Sequence, residues 1–177
     1  MRFRTLAFLI CMAMLPRAVA ARSASPQHEK KDYLTDAEAD KIRDAMDPGD
    51  RIRLFISFAA DRMKKFQYEL AHAPSDAHKI DVLNSLLNAY VGCVDDAADQ
   101  IEVARDKQLD IRGVLKEFDS KGKGFLAELQ KLDANSPDYD SYQDTLQDAV
   151  EGTKDDLSDV ESALKQLSPE PVRRKPS

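Results

Sequence analysis

Apolar residues recur at steps of three and four along most of this chain, and strict alternation is almost absent, so the pattern predicts helices and no sheet. Ile52, Phe55, Ala59, Met63, Phe66 and Leu70 form one stripe on an amphipathic helix between Pro48 and Ala71. A second series starts near Asp76 and runs through Ile80, Leu83, Leu87, Tyr90, Val94, Ala97, Ile101 and Ala104. A third holds Ile111, Leu115, Phe118, Gly122, Phe125, Leu129 and Leu132. The last holds Tyr139, Tyr142, Leu146, Val150, Leu157, Val160, Leu164 and Leu167, and stops before Pro169.

The boundaries follow from local chemistry. Thr35-Asp36-Ala37-Glu38 is a capping box, in which the Thr35 hydroxyl accepts from the backbone three residues on while Glu38 reaches back; it predicts a short helix to about Met46. Asp47 then caps a new helix with Pro48 at its first position, where the missing N–H costs nothing. Pro74 biases Ala73 away from helical angles and separates the first two long helices. Ser136 or Asp138, beside Pro137, offers a cap for the last helix, and Ser75 reads as a cap for the second.

The third boundary has two readings, because neither glycine nor proline falls between Ala104 and Gly113. Either the helix ends near Lys107 and Asp110 caps a new one, with Leu109 packing on Val114 as a hydrophobic staple, or one helix runs from about 76 to 133, about 80 Å at 1.5 Å per residue. The long rod has too few neighbours to bury its stripe and needs a partner chain, so the break and a monomer are expected rather than a dimeric rod. The expected fold class is all-α: an antiparallel, up-down-up-down four-helix-type bundle preceded by a short N-terminal helix. The expected organisation is a cleaved signal peptide at 1–20, a flexible lead-in at 21–33, a single helical bundle domain at 34–167 and a disordered Pro/Arg/Lys tail at 168–177.

The signal-peptide reading rests on Arg2 and Arg4, the apolar run from Leu6 to Leu15, and Ala18-Val19-Ala20. That run is about half of the ~20 residues a spanning helix needs, so no stable membrane anchor is expected. Phe8-Leu9-Ile10 before Cys11 also lacks the small residue of a lipid-attachment site. The expected location is exported, periplasmic or secreted. Export leaves Cys93 as the one cysteine, so no disulfide forms within the chain and a buried inert thiol is expected.

Charge narrows the partners. Losing Arg2, Arg4 and Arg17 with the leader takes the formal charge from −6 to −9. Such a domain repels nucleic-acid phosphates and anionic membranes, which excludes both as expected partners and leaves an unknown protein partner. Charge is also uneven along the helices. Ile80 to Ala104 holds Asp81, Asp95, Asp96, Asp99 and Glu102 without a cation, and Asp140, Asp144, Asp148, Glu151, Asp155 and Asp159 form an acidic edge on the last helix. The helix from Pro48 carries Arg51, Arg53, Arg62, Lys64 and Lys65, so attraction predicts that it lies beside the last helix.

One stretch offers recognisable chemistry. In EFDSKGKGFLAEL, counted from Asp119, a calcium-loop pattern finds Asp119 at position one, Gly124 at six and Leu126 at eight. Over these twelve positions the chain resembles an EF-hand loop, which implies a calcium site there. The ligand positions three, five and twelve hold Lys121, Lys123 and Gln130. An ammonium about 4 Å from a divalent cation is repelled by roughly 8 kcal/mol at an effective dielectric of 20, and Gln130 supplies no bidentate carboxylate. The same residues continue the three-four stripe, so a core helix with two glycines is expected in place of a calcium loop.

Catalytic patterns are missing too. His28, His72 and His78 lie in polar segments, no Glu-x-x-His or Cys-x-x-Cys-His occurs, and neither a nucleophile elbow nor a phosphate-cradling glycine loop is present. No catalytic, cofactor-binding or metal-binding residue is assigned and no cofactor is expected. The expected function is that of an exported non-enzymatic helical bundle, a protein-interaction or structural module. The alternatives are an acidic cation-binding surface or a bundle holding an apolar ligand among residues such as Phe55, Met63, Tyr90 and Phe118.

Overall fold

The computed structural model of the chain describes residues 33–132 and 135–167. The expected signal peptide, all of the lead-in but Tyr33, and the tail lie outside the described residues. Within them the chain is all-helical: α1 (Asp36–Asp44), α2 (Pro48–His72), α3 (Ala77–Asp106), α4 (Arg112–Leu129), a 3-10 turn (Tyr139–Ser141) and α5 (Gln143–Gln166). No helix among these residues is long and apolar enough to cross a membrane.

The helix starts form for the expected reasons at α1 and α2, while the cap of α3 differs from expectation. The Thr35 hydroxyl accepts from Glu38 N at 3.3 Å while Glu38 accepts from Thr35 N at 2.9 Å. Asp47 accepts from Gly49 N and Asp50 N, with Pro48 at the first position of α2. Asp76, and not Ser75, caps α3 by accepting from Lys79 N at 2.9 Å. The start of α5 departs from expectation. Asp138 adopts left-handed angles (φ 59°) and enters the 3-10 turn, and α5 starts after Tyr142 with no side-chain cap.

The chain does break between α3 and α4, so the long rod does not form. Leu109 N donates to Ala104 O at 3.0 Å and Gln108 N to Arg105 O at 2.9 Å, which together close a Schellman turn on the end of α3. Gln108 takes the left-handed position (φ 55°) that glycine usually fills, so the sequence carries no glycine signal for it. Asp110 contributes only a 3.3 Å contact from Arg112 N, and Ile111, buried, occupies the cap position of α4.

The closely packed pairs are α2 with α3, α4 with α5, α3 with α5, and α2 with α4. Consecutive helices α2 and α3 form one hairpin and α4 and α5 another; α3 and α4 lie across the diagonal, as do α2 and α5. The register shows how the hairpins stack. Asn84–Thr145, Tyr90–Thr153 and Arg105–Gln166 join α3 to α5 at sequence offsets of 61, 63 and 61, so these helices run parallel. Arg53–Glu117 and Gln67–Glu128 join α2 to α4 at offsets of 64 and 61, parallel again. The second hairpin therefore lies on the first nearly as its translated copy, α4 over α2 and α5 over α3. The cationic helix α2 consequently does not lie beside α5; its Arg53, Arg62 and Lys65 pair with Glu38, Asp50, Asp61 and Glu117.

The four stripes meet in one apolar cluster that includes Ile52, Phe55, Met63, Phe66, Leu83, Leu87, Tyr90, Leu115, Phe118, Leu129, Tyr142 and Val160. The gap in the α5 stripe between Val150 and Leu157 is filled by Thr153, a buried polar residue. Its hydroxyl donates to Ala149 O at 2.6 Å and therefore accepts from the Tyr90 hydroxyl at 2.8 Å. The Tyr90 ring meets Phe125 edge-on, with centroids 5.7 Å apart. Two glycines of α4 differ in kind. A Cβ on Gly122 would stand 2.9 Å from Leu157 Cδ2 of α5, whereas a Cβ on Gly124 meets nothing within 4 Å.

Two stability results are expected. Gly124→Ala raises stability by about 0.5–1 kcal/mol because a helix favours alanine, while Gly122→Ala lowers it by about 1 kcal/mol as Leu157 is forced off its rotamer; urea unfolding of both variants checks the contrast. Thr153→Val costs about 1–3 kcal/mol because the Tyr90 hydroxyl is left buried without an acceptor. Adding Tyr90→Phe to Thr153→Val recovers part of that loss, and a double variant no better than the single would refute the assignment.

Candidate functional site

Parallel stacking of like helices sorts charge into two layers. The α3 and α5 layer carries thirteen acidic residues and four basic ones, and the α2 and α4 layer six acidic and nine basic. Asp95 and Asp99 on α3, with Asp155 and Asp159 on α5, are exposed on the acidic side. Two carboxyls of this layer turn inward. Burial, reinforced by Asp95, Asp159, Asp155 and Asp99, pushes Asp156 up from 3.8 to about 7. Its Oδ2 is buried without a hydrogen-bond partner. Burial, with Asp99 adding to it, likewise pushes Asp96 up to about 7.

Asp96 accepts from the Tyr33 hydroxyl, and the Tyr33 ring lies against Gly92, where a Cβ would stand 2.8 Å from it. The last residue of the expected flexible lead-in is thus docked. The Tyr33 carbonyl accepts from Arg62 Nη2 at 3.0 Å, and Arg62, buried, makes a two-point bridge to Glu38 at 2.6 and 2.8 Å. Arg62 and the Thr35 contacts hold Glu38 down at about 2 against the opposing effect of burial. Since α1 itself buries no residue, this bridge and Leu34 fix it to the body. A second buried cation, Lys79, donates to Leu70 O and pairs with Asp138, both at 3.1 Å, and the Ser75 hydroxyl donates to Asp138 at 3.0 Å. Lys79, followed by Ser75, pulls Asp138 below the usual aspartate range.

The opposite layer holds a groove. On α2, Arg53, Ser57, Ala60 and Lys64 fall at steps of four, three and four; on α4, Glu117 and Lys121 are one turn apart. With Ile56 and Asp61 they line an open groove of about 450 Å³. Arg53 bridges to Glu117 at 3.3 Å at one end, and Gln67 donates to Glu128 at 3.0 Å farther along. Asp61 is engaged by Lys65 at 2.8 Å and Arg62 at 3.1 Å. Lys64 and Lys121 have no ion-pair or hydrogen-bond partner among the described residues.

The stretch that resembles a calcium loop is interior helix. Lys123 bridges Asp119 at 2.8 Å and Glu161 at 3.2 Å, so the carboxylate at loop position one is bound to an ammonium of the same helix. Asp119 first, then Glu161, raises the Lys123 ammonium above its usual range. No group of three or more His, Cys, Asp or Glu among the described residues is arranged to hold a metal ion. His72 is spent on Tyr68, stacking on its ring and contacting its carbonyl through Nδ1 at 2.8 Å; His28 lies outside the described residues. Cys93 is buried, and Phe55, Met63, Tyr90 and Phe118 are packed into the core cluster. No family model, curated protein or solved structure matches the chain.

The shifted carboxyls predict an acid-side optimum. Asp96 and Asp156 titrate higher folded than unfolded, so the folded state binds more protons between about 4 and 7; their contribution is greatest below the unfolded value and is lost as pH rises through about 7. Glu38 is depressed, so its contribution is present above about 4.5 and lost as pH falls toward 2. Thermal unfolding across this range is expected to peak near pH 4–5 and decline by pH 8. Asp156→Asn raises the midpoint at pH 8 and flattens that decline; an unchanged profile contradicts the assignment.

Proposed function

We propose that the protein is an exported, non-catalytic interaction module whose acidic α3–α5 face docks a basic surface of a partner protein. The carrying observation is the sorting of thirteen acidic against four basic residues onto one layer, with Asp95, Asp99, Asp155 and Asp159 exposed on it. An exposed field of one sign steers an oppositely charged partner and sets its orientation more than it supplies raw affinity. The non-catalytic reading is supported by where the reactive side chains lie: Cys93 and Tyr90 are in the core, Ser75 is bonded to Asp138, and His72 to Tyr68. Export rests on the leader features of residues 1–20.

The test is titration of the chain with a lysine-rich peptide at low and high ionic strength. Binding is expected at low salt and is screened away at high salt. Replacing Asp95, Asp99, Asp155 and Asp159 together by asparagine is expected to abolish it without lowering the thermal midpoint, since all four are exposed. Equal binding by the asparagine variant would remove the acidic face from the reading.

A further inference from the structure

We propose that the groove between α2 and α4 binds an extended acidic peptide of a partner protein, with two of its carboxylates on Lys64 and Lys121. Charge comes first. Five charged side chains line the groove, and three are already committed: Arg53 and Glu117 to each other, Asp61 to Lys65 and Arg62. The uncompensated charge is therefore that of Lys64 and Lys121, one on each wall, in a chain whose net charge is −6. Two unpaired cations facing one groove, in the layer where nine basic residues stand against six acidic ones, suit an anionic ligand.

Shape favours a peptide over a compact anion. The lining runs from Arg53 to Lys64 along α2, about 16 Å at 1.5 Å per residue, which matches about five residues of extended chain at 3.3 Å each. Ala60 and the small exposed edge of Ile56 add an apolar part to a mainly polar lining, and the Ser57 hydroxyl adds a hydrogen-bonding group. Gly124 supports the same direction of approach. Glu117, Lys121, Gly124 and Glu128 fall at steps of four, three and four, so Gly124 continues the α4 stripe that faces the groove. Packing inside the molecule does not call for a glycine there, because a Cβ meets nothing within 4 Å; its absence leaves room for another backbone to come close.

The experiment is fluorescence anisotropy of the full chain with a labelled hexapeptide of glutamate and leucine at low ionic strength. Its counterpart with glutamine in place of glutamate is the control, and inorganic phosphate the competitor. Salt-sensitive binding of the acidic peptide, weakened about tenfold or more in the Lys64→Ala/Lys121→Ala variant, is the expected result. Both lysines are exposed, so the variant retains the wild-type melting curve, and Gly124→Leu provides a second, steric block. The proposal is overturned if the double variant binds equally well, if the glutamine peptide binds as tightly, if no binding is found, or if phosphate displaces the peptide at equal concentration. The cationic-peptide experiment probes aspartates on the other layer, so the two proposals fail separately.

Discussion

The left-handed turn at Gln108 is the constraint on which the rest of the molecule depends. An uninterrupted helix through this point would carry the α3 stripe away from its neighbours. The turn ends α3 with two backbone hydrogen bonds and sends the chain across the diagonal, so that α4 starts over the beginning of α2. From that crossing follow the parallel pairing of α2 with α4 and of α3 with α5, the shared core, and the separation of charge into layers. A left-handed position costs an ordinary residue about 1–2 kcal/mol. The burial of Ile111, Val114 and Leu115 immediately beyond it offsets that cost.

The sequence made the helices legible because each stripe is long and its caps are local. Thr35 with Glu38, Asp47 with Pro48, and Pro74 each act within a few residues, and the structure uses all three near the expected places. What pairs with what was not legible. Charge complementarity suggested α2 beside α5, but exposed ion pairs contribute only ~0.2 to 1 kcal/mol each, whereas apolar burial contributes about 25 cal/mol for each Å². The buried stripes therefore decide the arrangement, and the cations settle for Asp50, Asp61 and Glu117.

The candidate sites show the same division. The acidic edge on α5 was readable from spacing, yet its significance depends on α3 lying parallel to it, a long-range fact. Thr153 interrupts the apolar stripe of α5 between Val150 and Leu157, and only the position of the Tyr90 hydroxyl explains it. Tyr33 sits in a segment with no periodicity, so no local signal could announce its docking on Gly92. The groove was invisible for another reason: Lys64 counts only among the cations of α2, and Lys121 only as a mismatch in the calcium-loop pattern, until two helices bring them to the same cleft. Of the two glycines in the stretch that resembles a calcium loop, Gly122 admits Leu157 and Gly124 faces open space.

Lys79 has a consequence for how the molecule assembles. Each hairpin is local in sequence and can form early, since short-range contacts close with little loss of chain entropy. The first hairpin alone, however, leaves the Lys79 ammonium beside Leu70 O without its carboxylate, which arrives only when Asp138 of the second hairpin docks. The ion pair thus acts as a checkpoint for docking: a misaligned second hairpin leaves a buried cation unpaired, a penalty that uniform apolar contacts would not impose. A purely hydrophobic seam would let the hairpins slide by a turn. The Lys79–Asp138 bridge makes their register a single choice.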